Sequence, residues 1–223
     1  MQVQAVSVAD AVANELRRRL LAGRYRGGEH LPDTELAAEF GVARPTLRAA
    51  VQMLVADGLL ERGRGRSACV RSFTAEDAVD LYRVRRPIEL TALDLVISGR
   101  RALAGVEAAA RAFTDLGASE AGRAGTISWD VVAAHDIAVH REVFLAAGSP
   151  RLLRAFDEIG TELRLFIAQL RPSYASVADL ACEHDLLVAA ARTGDPDRAR
   201  AAWTEHFDHS EQFFLGLLQE RDL

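Results

Sequence analysis

Apolar positions in the first third of the chain follow a helical period three times and then change to a strand-like pattern. The first helix is predicted from Ser7, a suitable N-cap, to about Gly23, with an apolar stripe formed by Val8, Val12, Leu16 and Leu20. Two shorter helices are predicted on either side of a turn at Gly41. Apolar ends flank a Gly-Arg-Gly centre in LLERGRGRSACV, which predicts a two-stranded hairpin.

The order helix, helix, turn, helix, hairpin predicts a winged helix-turn-helix domain over residues 1–72. The glycine-rich stretch 23–32 is interpreted as a connection without regular structure. Within the helix-turn-helix core, small Ala37 allows two helices to approach, while Val42 and Leu47 are expected to point inward.

Residues 73–223 carry helical periodicity throughout and no strand-like alternation. Six amphipathic helices are predicted, the first capped by Thr74, with a loop at 118–126 and short breaks containing glycine or proline. The fold class is therefore mainly α, with an all-α helical bundle following the winged domain.

Composition excludes several classes of protein. Hydrophobic residues make up 49% of the 223 residues, yet no apolar run approaches the roughly 20 residues of a membrane helix. The N-terminus lacks a signal-peptide layout, and Cys69 and Cys182 are too few for a disulfide framework, so we expect a cytoplasmic protein without a membrane partner. Residues 1–72 hold 11 Arg against 8 acidic residues, which hints at a polyanionic partner for this part of the chain.

The predicted second helix of the helix-turn-helix places Arg44, Thr46 and Arg48 in its first turns, where such helices contact bases in the major groove. An arginine fork can bind guanine or clamp a phosphate. The predicted hairpin has Arg64 and Gly65 at its tip, where glycine permits close approach to the DNA backbone. The alternative is that Arg44 and Arg48 form a solvated basic face. Their position at the start of the helix that contacts bases favours DNA contact instead.

Asp136 and His140 lie four residues apart in a predicted helix and therefore share one face. His184 and His206 lie equally far from Asp195 on either side, so an antiparallel helical hairpin would bring both imidazoles to one level. If a third helix supplies Asp136 and His140 there, the set suits Zn²⁺ best, with Ni²⁺ or Mn²⁺ as alternatives. We interpret the remaining histidines as surface or satisfied core residues: His30, His135 and His209.

Both parts of the chain resemble the GntR family of transcription regulators. The stretch LPDTELAAEFGVARPTLRAAVQMLVADGLLERGRGRSACV is similar to the GntR winged helix. LYRVRRPIE, the Asp136-x-x-x-His140 spacing, EHDLLVAAARTGD and WTEHF resemble the FCD ligand-binding domain of the FadR branch. The resemblance implies a homodimer that binds palindromic operator DNA through Arg44, Arg48, Arg64 and Gly65. It also implies a divalent metal held by Asp136, His140, His184 and His206.

The resemblance further implies a small organic acid as effector, with Arg85 facing its pocket. An arginine fork suits a carboxylate, although Arg85 could instead pair with Glu89 at i+4. The sequence departs from the family pattern at Thr34, where some relatives carry a DNA-contacting arginine, and in ARPTLRAAV. Ser149 and Val139 replace a frequent asparagine and phenylalanine, and Val139 suggests a pocket of different shape.

The resulting hypothesis is a ligand-controlled transcription regulator, most simply a repressor, without enzymatic activity. Two alternatives stay open on the residues alone. A zinc site with an open position could activate water, which would suit a metal-dependent hydrolase with an accessory DNA-binding domain. The metal could also be the signal itself, which would make the protein a metal sensor.

Overall fold

The computed structural model describes residues 7–62, 67–170 and 176–221. The chain divides into two compact units, the first ending at Phe73 and the second beginning at Thr74. The first unit contains three helices and a small sheet, whereas the described part of the second unit is helical throughout. This arrangement confirms the predicted fold class.

The first unit is built from helices α1 (Val8–Leu21), α2 (Asp33–Phe40) and α3 (Arg44–Ala56) and strands β1 (His30–Pro32), β2 (Leu60–Arg62) and β3 (Ser67–Val70). Ser7 caps α1 as predicted, since its hydroxyl accepts from the Asp10 backbone while the Asp10 carboxylate accepts in return. Leu16, Leu47 and Leu54 are fully buried between α1 and α3. The predicted apolar stripe of α1 is therefore buried from Val12 onward, whereas Val8 at its start is 61% exposed because it lies in the first turn of the helix.

The turn between α2 and α3 depends on Gly41, whose φ of 64° lies in the left-handed region that favours glycine. The backbone N–H of Gly41 and that of Val42 bond to carbonyls at the end of α2, which closes the helix there. Ala37 is buried at this junction, as its small size predicted.

The sheet has one more strand than the sequence predicted. β2 and β3 form the expected antiparallel hairpin, but β1 pairs with the other edge of β3 in the order β1-β3-β2. The interpretation of 23–32 as an irregular connection is therefore wrong at its end. A three-residue strand is too short to show alternation, and only Leu31 within it is buried.

The second unit contains α4 (Ala75–Ser98), α5 (Ala104–Ala118), α6 (Glu120–Arg123), α7 (Trp129–Ala147), α8 (Pro150–Leu170), α9 (Val177–Arg192) and α10 (Pro196–Arg221). Thr74 caps α4 as predicted, in a capping box with Asp77. The single-turn helix α6 interrupts the predicted loop 118–126. Ser119 caps it, and Gly122 lies against the carbonyls of Leu116 and Gly117, where a Cβ would not fit.

Helix α7 packs against α4, α5, α8 and α9, and α4 also packs against α8 and α10. The antiparallel pair α9 and α10 lies next to these helices, as the GDP turn predicted. Side chains from α4, α7, α9 and α10 can therefore meet inside the unit. No helix among the described residues combines the length and apolarity needed to cross a bilayer.

Candidate metal centre and DNA-contact helix

The buried polar side chains of the described residues form one cluster in the second unit. They are Arg85, Glu89, Asp136, His140, His184, His206 and Ser210. Four helices contribute them, α4, α7, α9 and α10, and their positions on the inner faces follow from the helical period. Burying so many polar groups is costly unless they satisfy one another or a ligand.

Three imidazoles meet in this cluster. One ligand atom from each of His140, His184 and His206 lies within 4.8 Å of the other two, and all three rings are buried. The ring centroids of His184 and His206 are 5.1 Å apart, so the two helices of the α9–α10 hairpin do bring these side chains to one level. The fold thus brings three of the four predicted residues together, and Asp136 does not belong to this group of mutually close ligand atoms.

His140 is oriented by a carboxylate on a different helix. Its Nδ1 donates to Glu89 Oε2 over 2.6 Å, and its Nε2 is buried with no hydrogen-bond partner. Burial lowers the pKa of His140, only partly offset by the Glu89 charge, so the ring is neutral at neutral pH. A neutral imidazole held through one nitrogen by a carboxylate presents its other lone pair, as metal-binding histidines do.

His184 and Asp136 make a contact that needs a positive charge between them. His184 Nδ1 donates to the Leu180 carbonyl over 2.8 Å, so Nε2 of the neutral ring carries no proton. That Nε2 lies 3.1 Å from Asp136 Oδ1, which is also an acceptor. Two acceptors at this distance require a proton or a metal cation.

The pKa values of this pair are displaced in the directions that such a contact requires. Burial alone would raise the pKa of Asp136, but the hydrogen bond and charge of His184 hold it below its usual range. Burial would lower the pKa of His184, and Asp136 raises it above its usual value instead. The carboxylate is therefore ionised at neutral pH, whichever cation lies beside it.

His206 completes the nitrogen cluster, and its Nδ1 makes no hydrogen bond. Burial, together with the neighbouring His184 and His140, lowers its pKa well below the usual value. Glu183 lies at 3.8 Å from that nitrogen, although it does not share the face of His184 on α9. His135, which the sequence analysis set aside, bonds to the Val131 carbonyl of its own helix.

Arg85 forms an ion pair with Glu89, in which Nε lies 2.5 Å from Oε1. The sequence analysis gave this pairing as the alternative to effector binding. The pair is almost entirely buried, and Arg85 also lies over the rings of Tyr82 and Phe207. One guanidinium nitrogen, Nη2, is nevertheless buried without a hydrogen-bond partner. The pairing thus leaves part of the arginine fork available.

A cavity adjoins the cluster on the Arg85 side. Its volume is about 20 Å³, room for about one water molecule. Its polar lining is Tyr82, Arg85, Asp136 and Ser210, and its apolar wall includes Trp129, Val132, Ile167, Leu180 and Phe214. Apolar walls with a few convergent polar groups are the lining typical of ligand sites, although a ligand larger than water would need the walls to move apart.

In the first unit, the start of α2 holds the two arginines at the start of α3. Arg44 Nη2 donates to Thr34 Oγ1 over 2.8 Å, and Arg48 Nε donates to Asp33 Oδ2 over 3.0 Å. Both arginines are exposed, while Thr46 between them is half-buried. The predicted hairpin-tip residues Arg64 and Gly65 lie outside the described part of the chain.

Sequence reasoning missed two kinds of supporting residue. Glu89 was weighed only as a partner of Arg85, whereas it also orients His140. The sequence did indicate that Glu89 is buried, because its position shares the buried face of α4 with Tyr82 and Leu93. The contacts of Asp33 and Thr34 with α3 had no such signal, since they depend on the angle between two helices.

Two family descriptions match the chain. Residues 8–70 match the GntR family of bacterial regulatory proteins, and residues 80–209 match the FCD domain.

Among curated relatives, the "Probable D-xylose utilization operon transcriptional repressor" of Paenarthrobacter nicotinovorans is 30% identical over 202 residues, covering 90% of this chain and 85% of the relative. The "Uncharacterized HTH-type transcriptional regulator YdhC" of Bacillus subtilis (strain 168) is 37% identical over 84 residues, and that match spans only 38% of either chain.

A GntR-type protein of Rhodococcus sp. RHA1 has a similar solved structure. Its TM-score is 0.80 at 24% identity, and the match covers 93% of this chain and 97% of that one. At this identity the likeness concerns the fold alone.

We predict that Glu89→Gln destabilises the protein by about 3–5 kcal/mol, because it leaves the buried Arg85 charge without its counter-ion. Urea unfolding followed by circular dichroism measures the change. The matched control is Asp157→Asn, which removes the exposed partner of Arg141 and should cost at most about 1 kcal/mol. Equal effects of the two substitutions would contradict the assigned role of Glu89.

Proposed function

Because the chain belongs to the GntR family of bacterial transcription regulators and carries an FCD domain, we propose that it is a DNA-binding repressor controlled by a metal-supported carboxylate effector. Regulators of this family are not enzymes, so the hydrolase alternative is set aside. The observation that carries the proposal is the convergence of three buried imidazoles and a carboxylate beside a small cavity. A regulator of chromosomal operators would work in the bacterial cytoplasm.

The charge of the buried cluster supports a bound cation. Arg85 contributes one positive charge, while Glu89 and Asp136 contribute two negative charges. With His184 neutral, these groups leave one uncompensated negative charge in a low-dielectric interior, which is unfavourable and which either a proton on His184 or a metal ion beside it removes. A divalent ion would reverse this balance to one net positive charge, and a monocarboxylate beside it would neutralise the site.

The residues present fit such an ion. Buried lone pairs on His140, His184 and His206 converge, and Asp136 adds a hard oxygen ligand with a second oxygen, Oδ2, that has no partner. Three imidazoles and one carboxylate favour Zn²⁺, and Ni²⁺ or Mn²⁺ could also be held. When bound, the ion would supply a Lewis-acidic position for an effector oxygen at the end of the cavity.

The effector would be a small carboxylate. Arg85 Nη2 has no protein partner and lines the cavity, so a carboxylate oxygen could satisfy it. The pairing of Arg85 with Glu89 supports this role, because it fixes the guanidinium in place before the ligand arrives. Tyr82 and Ser210 offer hydroxyls to other polar atoms of the ligand.

DNA contact would come from the first turns of α3 and from the hairpin tip. Asp33 occupies only Nε of Arg48, which leaves both terminal nitrogens for guanine O6 and N7 or for a phosphate. Arg44, Thr46, Arg64 and Gly65 would contribute further contacts, as the sequence analysis proposed. A homodimer with two such helices would read a palindromic operator.

Effector binding would change operator affinity only if the effector prefers one of two arrangements of the protein. We expect effector binding to lower operator affinity and so relieve repression. The repressor name of the relative from Paenarthrobacter nicotinovorans supports this direction.

We predict that His184→Ala lowers bound metal at least about tenfold and lowers thermal stability together with it, because a ligand of the folded state stabilises that state. Elemental analysis after purification and a thermal melt provide the two readouts. His135→Ala on α7 is the control and should keep full occupancy.

Full metal occupancy in His184→Ala would contradict the ligand set. Release of wild-type metal during dialysis against a mild chelator would favour the alternative in which the metal is the signal.

We predict that a panel of small mono- and dicarboxylic acids contains ligands that raise the melting temperature of the metal-loaded protein. Arg85→Lys should weaken such a ligand by about tenfold or more, because the ammonium keeps the charge and loses the fork. Arg86→Lys is the control, since Arg86 pairs with Asp208 and Glu211 instead. Wild-type affinity in Arg85→Lys would remove this arginine from the effector site.

We predict that Arg48→Ala removes specific DNA binding at physiological salt and leaves the fold intact, because one good arginine–guanine fork contributes about 1–3 kcal/mol of discrimination. Fluorescence anisotropy on DNA selected from a random pool by the wild-type protein measures this. Arg18→Ala on α1 serves as the control for general loss of positive charge. A variant with unchanged specificity would show that Arg48 does not read bases.

A further inference from the structure

The first turn of α2 supplies one acceptor to each of the two arginines at the start of α3. The Asp33 carboxylate accepts from Arg48 Nε over 3.0 Å, and the Thr34 hydroxyl accepts from Arg44 Nη2 over 2.8 Å. Successive residues of one helix thus hold two arginines of the next helix. We call Asp33 and Thr34 the holding pair.

The backbone fixes the position of the holding pair relative to α3. Asp33 begins α2 directly after Pro32, which lies opposite Ser67 in the pairing of β1 with β3. In the following turn, Leu36 and Ala37 are buried, and α2 packs against α3. The strand before the pair and the packed helix after it therefore keep both acceptors in place when the arginines move.

Burial distinguishes the contact of Asp33 with Arg48 from an ordinary surface ion pair. The Asp33 side chain is only 12% exposed, whereas that of Arg48 is 50% exposed. Exposed pairs contribute little because water and salt screen both partners. Here the carboxylate is the shielded partner and the guanidinium is the accessible one, so Asp33 is placed to orient Arg48 and not to meet DNA itself.

We propose that Asp33 and Thr34 are specificity-determining residues, which direct Arg48 and Arg44 to guanines without contacting bases themselves. The inference rests on the proposed function, since it requires α3 to enter the major groove. A free arginine side chain can bind a phosphate instead of a base, and phosphate contacts carry no sequence information. An arginine that is fixed before DNA arrives loses less entropy in forming a fork with guanine.

The spacing of the two arginines defines the DNA that they would read. Arg44 and Arg48 are four residues apart, so they share one face and lie about 6 Å apart along α3. Stacked bases follow each other at about 3.4 Å, so the expected half-site has two G·C pairs within about two steps. A charged acceptor holds an arginine more strongly than a hydroxyl does. The guanine read by Arg48 should therefore be the more strictly required of the two.

Base-by-base binding measurements on the full chain test this proposal. DNA is selected from a random pool by the wild type, and fluorescence anisotropy gives the affinity for each single base-pair change in the selected site. Asp33→Asn should bind the selected site about tenfold more weakly and relax the preference at the base pair that Arg48→Ala relaxes. Thr34→Val should act in the same way at the base pair that Arg44→Ala relaxes, with a smaller effect.

Random-sequence DNA gives a readout that a structural defect would move in the opposite direction. Asp33→Asn should bind such DNA more tightly than the wild type, because a negative charge is removed from the DNA-binding surface. Glu35→Gln is the matched control, since Glu35 is an exposed carboxylate in the same turn of α2 and should leave every base preference unchanged. Circular dichroism verifies that each variant keeps its helices.

Two results would overturn the positioning role and leave the proposed DNA-binding function standing. One is wild-type base preference at every position in both Asp33→Asn and Thr34→Val. The other is an equal loss of affinity for selected and random DNA in Asp33→Asn, which would assign Asp33 a purely structural role at the start of α2. A wild type that selects no sequence from the pool would overturn the proposed function itself.

Discussion

The helical unit is organised around the cost of burying charge. Arg85, Glu89 and Asp136 are removed from water: Arg85 pairs with Glu89 on its own helix, while Glu89 and Asp136 contact histidines of other helices. Glu89 links α4 to α7 by accepting from Arg85 on one oxygen and from His140 on the other. Because an unpaired buried charge is strongly destabilising, the four helices that carry these groups must keep their relative positions. The site geometry and the fold therefore stabilise each other.

The same constraint connects the site to its proposed regulation. A cluster with two buried carboxylates, one buried arginine and several buried lone pairs is suited to a cation, and the cation in turn suits a carboxylate. Each binding step would change the charge that the surrounding helices enclose, and the effector would contact α4 directly through Arg85, so binding could alter the packing of that helix.

Much of the architecture follows from local patterns. The caps at Ser7 and Thr74, the turn at Gly41 and the helical period of the second unit were predicted, because each depends on interactions within a few residues. The strand β1 and the short helix α6 were not, since β1 exists only by pairing with β3, and α6 fits only because Gly122 can lie against α5.

The sequence by itself determined which residues could hold a metal, since the i,i+4 spacing of Asp136 and His140 and the symmetric placement of His184 and His206 follow from helix geometry. Only the tertiary structure decided that these side chains meet in a buried cluster. It also decided that Glu89 orients His140, that Arg85 keeps one nitrogen without a partner, and that Asp33 and Thr34 hold the arginines of α3. Those facts depend on crossing angles between helices distant in sequence, which local periodicity does not encode.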